Sequence, residues 1–359
     1  MTLPEVSQIR LQNQQISAQK FNAPKEVLNW MGAMQAQDYA MAKWAVGLRL
    51  PNTSSEMLQA AIDSGEILRT HVLRPTWHFV SSENIRWMQE LTAPRILKSM
   101  KSGLVRLELP PMALSKSLNV IEKALSKEKH LPREELVRVL GENGIKNEDN
   151  RISHVLIYAE LQGLICSGKD EGKKHTYALL DDRVPKTQPF HKEETLAKLA
   201  HLYFSSHGPA TIADFSWWSG LSLTEARQGL EVVKQALVSE KIGEHMYWFN
   251  PSFSLSKQHK SSLYLLPAFD EFLISYKDRS AIIAFEDHKK TVSNNGMFRP
   301  IIVLNGEIIG VWKRIFKKDR IVIEINSFRD FSSAIKKQVE AQAFVFGEFM
   351  GKKIEIMSC

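Results

Sequence analysis

Cysteine is nearly absent: the chain of 359 residues holds two, Cys166 and Cys359, in unrelated contexts. That excludes a disulfide framework and a cysteine-based zinc site, and it suits a reducing cytoplasm. No apolar run approaches the roughly 18 residues of a membrane span, so no membrane partner is expected. The first residues, Met1-Thr2-Leu3-Pro4-Glu5, lack a basic stretch followed by an apolar core, so no secretory signal is expected. There is no glycine-rich phosphate loop. His191 and His201 have no companion at metal-ligand spacing. Neither a metal nor a cofactor is expected.

What is present describes a folded chain. Hydrophobic residues make up 43% and charged residues 24%, the balance of an ordinary globular protein. The length suits about two to three domains. The net charge of +7 is compatible with a nucleic-acid partner.

The pattern of elements reads as α+β: three tandem winged-helix units, then a C-terminal β-rich, barrel-like module. The expected boundaries are 1–110, 111–188, 189–258 and 259–359. In the first unit, a polar helix spans Ser7 to Gln15, and Pro24 and Ser54-Ser55-Glu56 start two more. Strands at Ile67–Leu73 and Thr76–Ser81 form the wing, and a trailing helix follows Ser82. The second unit repeats the plan with helices at Ala113–Lys127, from Pro132 to Gly141, and at Asn150–Gln162. Its wing flanks the charged turn Gly168–Lys174. The third has helices at Glu193–Ser205, Thr211–Trp218 and from Ser222 to Leu237, with a wing to Phe249. In the last module, Asn305-Gly306 between two apolar runs is a strong hairpin signal, because Asn-Gly favours the primed turn. A strand at Arg320–Ile325, a helix at Asp330–Phe349 and a strand at Lys353–Met357 complete it.

The stretch that invites chemistry is Gln35-Ala36-Gln37-Asp38. Side chains at i and i+2 diverge by about 200° on a helix but share a side of an extended chain. For Gln35 and Gln37 to share a site, the chain must leave helical geometry near Gln35. An amide offers an acceptor oxygen and two donor hydrogens without charge. Two of them could hold a water without deprotonating it, which suits a substrate whose leaving group is already activated. The alternative is one glutamine capping backbone groups and the other solvated.

Other polar residues offer anion contacts. Arg69 and His71 share a side of one wing strand, Thr76 and His78 a side of its neighbour, and Arg74 lies between. Trp77 and Phe79 face the other way, toward the core. His71 is equally readable as a core histidine bonded to a carbonyl. Lys313, Arg314, Lys317, Lys318 and Arg320 form a basic turn that could reach a groove or stay solvated. Arg151, His154, Arg227 and Gln228 are further candidates on helices. Asp270, in Leu265-Leu266-Pro267-Ala268-Phe269-Asp270, reads as an ion-pair partner of Arg279.

Several of these stretches together resemble one family. They are Gln35-Ala36-Gln37; Arg69-Thr70-His71 through Trp77-His78; His207-Gly208-Pro209-Ala210-Thr211 through Asp214-Phe215-Ser216-Trp217-Trp218-Ser219-Gly220-Leu221; Leu265 through Asp270; and Asn305-Gly306 through Gly310-Val311-Trp312. In this order they resemble the AlkZ/YcaQ-type DNA glycosylases. The resemblance implies winged helices around a DNA channel and monofunctional excision of N7-alkylated purines, in some members from interstrand crosslinks. It implies a catalytic pair at Gln35 and Gln37, the Gln-x-Gln pattern of the AlkZ-like branch; Asp38 follows directly and leaves a carboxylate's help open, and Asp270 and Arg279 are candidates for support. The partner is then double-stranded DNA with alkylated bases, and the contacts are expected from Arg69, His71, Arg74, His78, Lys313, Arg314, Lys317 and Lys318. Family members commonly carry glycine where this chain has Pro75, so the wing turn is expected to differ in shape. A monomeric bacterial protein working at the nucleoid is expected. The alternative is a non-enzymatic winged-helix DNA-binding protein, a regulator or architectural factor, and beyond that a protein-interaction scaffold.

Overall fold

The computed structural model describes residues 1–251, 262–293 and 296–358. The expected boundary between the third unit and the C-terminal module, at 258/259, lies outside the described residues, as does Cys359. The first helix, α1 (Leu3–Asn13), begins earlier than the apolar pattern suggests, because Thr2 and Glu5 close a reciprocal capping box. Next come α2 (Pro24–Met31), β1 (Ala33–Gln35), α3 (Tyr39–Gly47), α4 (Ser55–Ser64), β2 (Ile67–His71), β3 (Trp77–Ser81) and α5 (Ile85–Arg106). Helix α3 is not announced by the sequence pattern; the Asp38 side chain caps it by accepting from the Met41 N–H.

The second stretch holds α6 (Pro111–Lys127), β4 (Leu131–Pro132), α7 (Arg133–Glu142), α8 (Arg151–Leu161), β5 (Ile165–Ser167), β6 (Thr176–Leu179) and the short α9 (Leu180–Arg183). The third holds α10 (Lys192–Ser206), α11 (Ile212–Ser219), α12 (Leu223–Val233), β7 (Val238–Ile242) and β8 (His245–Phe249). The C-terminal part runs β9 (Leu263–Leu266), α13 (Glu271–Ile274), β10 (Ile301–Leu304), β11 (Glu307–Phe316), β12 (Arg320–Ser327), α14 (Ser333–Met350) and β13 (Lys353–Ser358). Its five strands form one curled sheet in the order β13-β12-β11-β10-β9. Because β9 and β13 stay at opposite edges, it is an open sheet and not a closed barrel.

The cores do not follow the order of the chain. One apolar cluster joins Val27, Met34 and Trp44 near the start to Leu265, Ile302, Trp312 and Phe346 near the end. A second joins Leu68 and Val80 of the first wing to Tyr203, Phe215 and Trp218. Helix α14 seals the sheet: the Phe346 ring packs edge-on against both Trp312 and Trp44 at 5.3 Å, pairs worth about 0.5–1.5 kcal/mol each beyond area burial. Both indoles are also anchored, with Trp44 Nε1 donating to the Leu265 carbonyl and Trp312 Nε1 to that of Leu266.

A buried ion pair fastens the two ends of the chain. Arg49 and Asp270 are fully buried, and the guanidinium donates to both carboxylate oxygens at 2.9 Å. Asp270 therefore pairs with Arg49 and not with Arg279, as the sequence suggested. Arg279 instead donates from Nε to the Leu273 carbonyl. Proximity in sequence favoured the wrong arginine, since Arg49 is 221 residues away. Arg49→Met, which leaves Asp270 buried and unpaired, is expected to cost about 3–5 kcal/mol, read as a lower midpoint in urea denaturation.

Candidate active site

Gly32, in a positive-φ conformation, ends α2. The chain then extends: Ala33, Met34 and Gln35 pair antiparallel with Val80, Phe79 and His78 of β3. The pairing continues one residue further, because the Ala36 N–H donates to the Trp77 carbonyl at 2.7 Å. The departure from helix that a shared glutamine site requires is therefore present. The two glutamines nevertheless differ in setting. Gln35 is 9% exposed, and its amide oxygen accepts from Arg74 Nη2 at 3.0 Å; a guanidinium only donates, so the oxygen must face it. Gln37 is exposed, and its side chain has no hydrogen-bond partner among the described residues.

The segment's backbone is held on both sides. The Ala36 carbonyl accepts from Arg69 Nε at 3.1 Å. Asp38 caps α3 and accepts from Arg314 Nη2 at 2.9 and 3.1 Å. Arg314 lies on β11, so the C-terminal sheet fixes the exit of the glutamine segment.

Beneath Gln35 lies a buried acid that sequence reasoning missed. Glu271 is fully buried; its Oε1 accepts the Gln35 N–H at 2.7 Å. Its Oε2 accepts from Trp218 Nε1 at 3.1 Å and from the Ser275 hydroxyl. His207 Nε2 stands 3.8 Å from the same oxygen, an ion-pair distance but too long for a hydrogen bond. Burial alone would push the Glu271 carboxyl up, but His207, Arg74 and the Ser275 hydroxyl together hold it down at about 2. The signal in the sequence was an adjacent pair of acids, Asp270-Glu271, inside an apolar run, where a charge survives only if paired.

The first wing departs from expectation. The register pairs Arg69 with Phe79, His71 with Trp77 and Thr70 with His78. Residues opposite each other share a face of the sheet, so Arg69 and His71 lie with Trp77 and Phe79, and His78 points the other way, beside Gln35. A shift of one residue exchanges the faces, and the pattern of residues did not fix it. Arg69 packs over the Trp77 ring at 4.2 Å and faces Tyr39 at 5.5 Å. Two expected DNA contacts are interior instead. His71 is 3% exposed, bonded through Nδ1 to the buried Glu160. His78 is fully buried, its Nδ1 held by the Thr76 carbonyl at 2.9 Å. Neither presents a surface to a phosphate. Burial, and then the neighbouring Arg74 charge, lower His78 to about 3, so its ring is neutral.

The basic turn is divided. Lys313 approaches Glu324 at 3.4 Å and Arg314 is held by Asp38, whereas Lys317 and Lys318 are exposed at the β11–β12 turn with no carboxylate partner among the described residues. Arg279 sits under Trp217 and Phe298, and burial lowers its pKa. Arg151 pairs loosely with Glu108 and His154 is half-buried, while Arg227 and Gln228 are exposed on α12. Among the described residues no three His, Cys, Asp or Glu side chains gather as metal ligands would, and no helix is long and apolar enough to cross a membrane.

The strand that ends at Gln35, with Gln37 in the bend beyond it and buried charges bracing it, belongs to a chain whose residues 28–349 match the family described as DNA glycosylase AlkZ-like. The chain belongs to that family, and with it to the DNA glycosylases; the non-enzymatic reading gives way. It is 21% identical to the interstrand DNA cross-link repair glycosylase of Streptomyces sahachiroi, over 93% of this chain and 92% of that protein. Its fold matches the structure of Streptomyces sahachiroi DNA glycosylase AlkZ with a TM-score of 0.81, at 19% identity and full coverage of both chains.

The buried site is expected to make the protein acid-sensitive. His78, at about 3 when folded against an ordinary 6.5, takes up its proton earlier in the unfolded chain. Its contribution is complete above pH 6.5 and is lost at about 1.4 kcal/mol per unit as pH falls toward 3. Glu271 adds stability that is full above 4.5 and is lost as pH falls to about 2. Urea denaturation at a series of pH values should therefore show stability falling from near neutrality downward, and His78→Leu should remove about 1.4 kcal/mol per unit from that slope.

Proposed function

We propose that this chain hydrolyses the N-glycosidic bond of N7-alkylated purines in duplex DNA, with the attacking water held at Gln37 beside Gln35. The observation that carries the proposal is the pair of amides where the strand ends, Gln35 clamped on it and Gln37 free in the bend just beyond, with Ala36 between them and Asp38 after them both held. Alkylation at N7 puts a positive charge on the purine and weakens the bond to the sugar. The transition state resembles an oxocarbenium ion, as in sugar hydrolysis. Water then needs orientation more than a strong base.

The adjoining carboxylate is not a free base, since Asp38 is bound to Arg314 and to the α3 N-terminus. The roles of the two amides differ. The Gln35 oxygen is occupied by Arg74, so Gln35 offers its amide N–H and a fixed wall. The Gln37 oxygen is free to accept from the water and to face the developing sugar charge.

The three helix-and-hairpin units are read as winged helices lining a DNA channel, bounded at 1–110, 111–188 and 189–258, with the C-terminal sheet supplying the Lys317 and Lys318 turn to the backbone. Arg74 acts through Gln35, and Arg69 through Ala36. The protein works as a monomer without a cofactor, in the cytoplasm at the nucleoid. The exposure of Gln37 suits an open cleft, in which a crosslinked base need not be extruded. The Streptomyces relative is described as a crosslink repair glycosylase, and unhooking of interstrand crosslinks is proposed here too.

The test is release of N7-methylguanine from duplex DNA under single-turnover conditions. Gln37→Ala is expected to lose about 100-fold or more in rate while binding DNA normally, the scale of removing one preorganised polar group. Full rates in both Gln37→Ala and Gln35→Ala, with DNA binding intact, would overturn the mechanism.

A further inference from the structure

A cavity of about 480 Å³ opens beside the glutamine segment, between the first wing and the second unit. Its wall includes Arg69 and Tyr39, which flank Ala36-Gln37-Asp38, and Arg133, Ser167, Lys174 and Tyr177 from the second unit. Donors dominate it. Arg69 spends only Nε on the Ala36 carbonyl; its terminal nitrogens have no partner, and no carboxylate lies within 4.0 Å among the described residues. Burial lowers its pKa, against the raising effect of the buried Glu160 and of Asp170 nearby. Arg133 donates from Nη2 to Ser153 and weakly to Asn150, both neutral. The half-buried Tyr177 hydroxyl has no partner among the described residues. Two carboxylates border the cavity. Asp170 is consumed by His175, Tyr39 and Gln59, and Glu134 is exposed.

We propose that this cavity is a subsite for a backbone phosphate of the DNA strand next to the lesion, held by Arg69, Arg133 and the Tyr177 hydroxyl with Lys174 at the mouth. The proposal rests on the DNA reading above. A phosphate fits better than an extruded base, for a physical reason. A base would need an aromatic face to stack on. The largest faces are already packed: Trp77 against the Arg69 guanidinium at 4.2 Å and the His71 ring at 4.2 Å, and Tyr39 against the His175 ring at 4.1 Å, while Tyr177 meets Trp77 only at a tilt, at 6.5 Å. What remains is an array of donors with capacity to spare: the Arg69 terminal nitrogens, the rest of the Arg133 guanidinium and the Tyr177 hydroxyl, which suits an anion. The phosphate would seat the strand against the first wing and so fix the sugar opposite Gln37.

The experiment is duplex binding by full-length protein across a salt series, with undamaged and N7-methylguanine duplexes in parallel. Arg133→Gln is expected to lower the slope of log K against log salt by about 0.9, one phosphate contact, equally on both duplexes. Tyr177→Phe should weaken binding about 3- to 10-fold with the slope unchanged. It removes no internal hydrogen bond, so its urea midpoint should match wild type, and it keeps the test intact where Arg133→Gln folds poorly. Wild-type slope in Arg133→Gln, or wild-type affinity in Tyr177→Phe, would overturn the subsite. So would losses confined to the damaged duplex, which would mark a base pocket. Millimolar inorganic phosphate at constant ionic strength should leave wild-type binding unchanged; competition abolished by Arg133→Gln would make this a site for free phosphate and overturn the DNA assignment. Wild type without salt-dependent affinity would instead overturn the DNA reading itself, a separate failure.

Discussion

Glu271 is a carboxylate with no access to water, and the position of the glutamine strand depends on it. Taking such a charge out of solvent costs several kcal/mol unless the surroundings answer it. Here they do so mostly from distant parts of the chain: the Gln35 backbone and the Trp218 indole donate to it, as does the nearby Ser275 hydroxyl, with Arg74 as opposing charge and the His207 ring, whose own pKa burial lowers, alongside. None of these groups can move without stranding the acid. The strand that carries Gln35 is thus held against the C-terminal module as firmly as against its own wing. The neighbouring Arg49–Asp270 pair repeats the device one residue earlier in the chain.

The same logic governs the residue between the glutamines. Ala36 has no side chain to anchor, yet its N–H goes to Trp77 and its carbonyl to Arg69. Asp38 is tied by Arg314 from the far sheet. Gln37 is left as a free amide between two neighbours that are both held. That combination is what the proposed water-holding role asks of a neutral group, since the cost of ordering is met in folding. Arg69 joins this frame to the cavity on its other side, so the group that steadies the glutamine segment also faces the proposed phosphate.

Much of the secondary structure was legible. The helices from Pro24 and Ser55, the three hairpins, the Asn-Gly turn and the long C-terminal helix announce themselves through capping residues, glycines and apolar periodicity, because each signal is local. The need for an extended chain at Gln35 followed from side-chain geometry alone. The ordered motifs from Gln35 to Trp312 also pointed to the family. The misreadings share one cause. His78 was assigned to the wrong face because strand register depends on how the wing packs. Asp270 was given to Arg279 because sequence proximity is a poor guide to a buried pair. Glu271 was passed over because its partners lie far off in the chain.

By itself, the sequence determined most of the helices and the hairpins, a cysteine count of two, the lack of a long apolar run, and the presence of two uncharged amides two residues apart. Only the tertiary structure decided that one amide is clamped by Arg74 and the other free, that two histidines are interior, and that the two ends of the chain share a core. Local propensity acts over a few residues and is written in the chain. The cost of burying charge is settled only when distant segments meet, and that cost placed Glu271, Arg49 and Arg74 where they are.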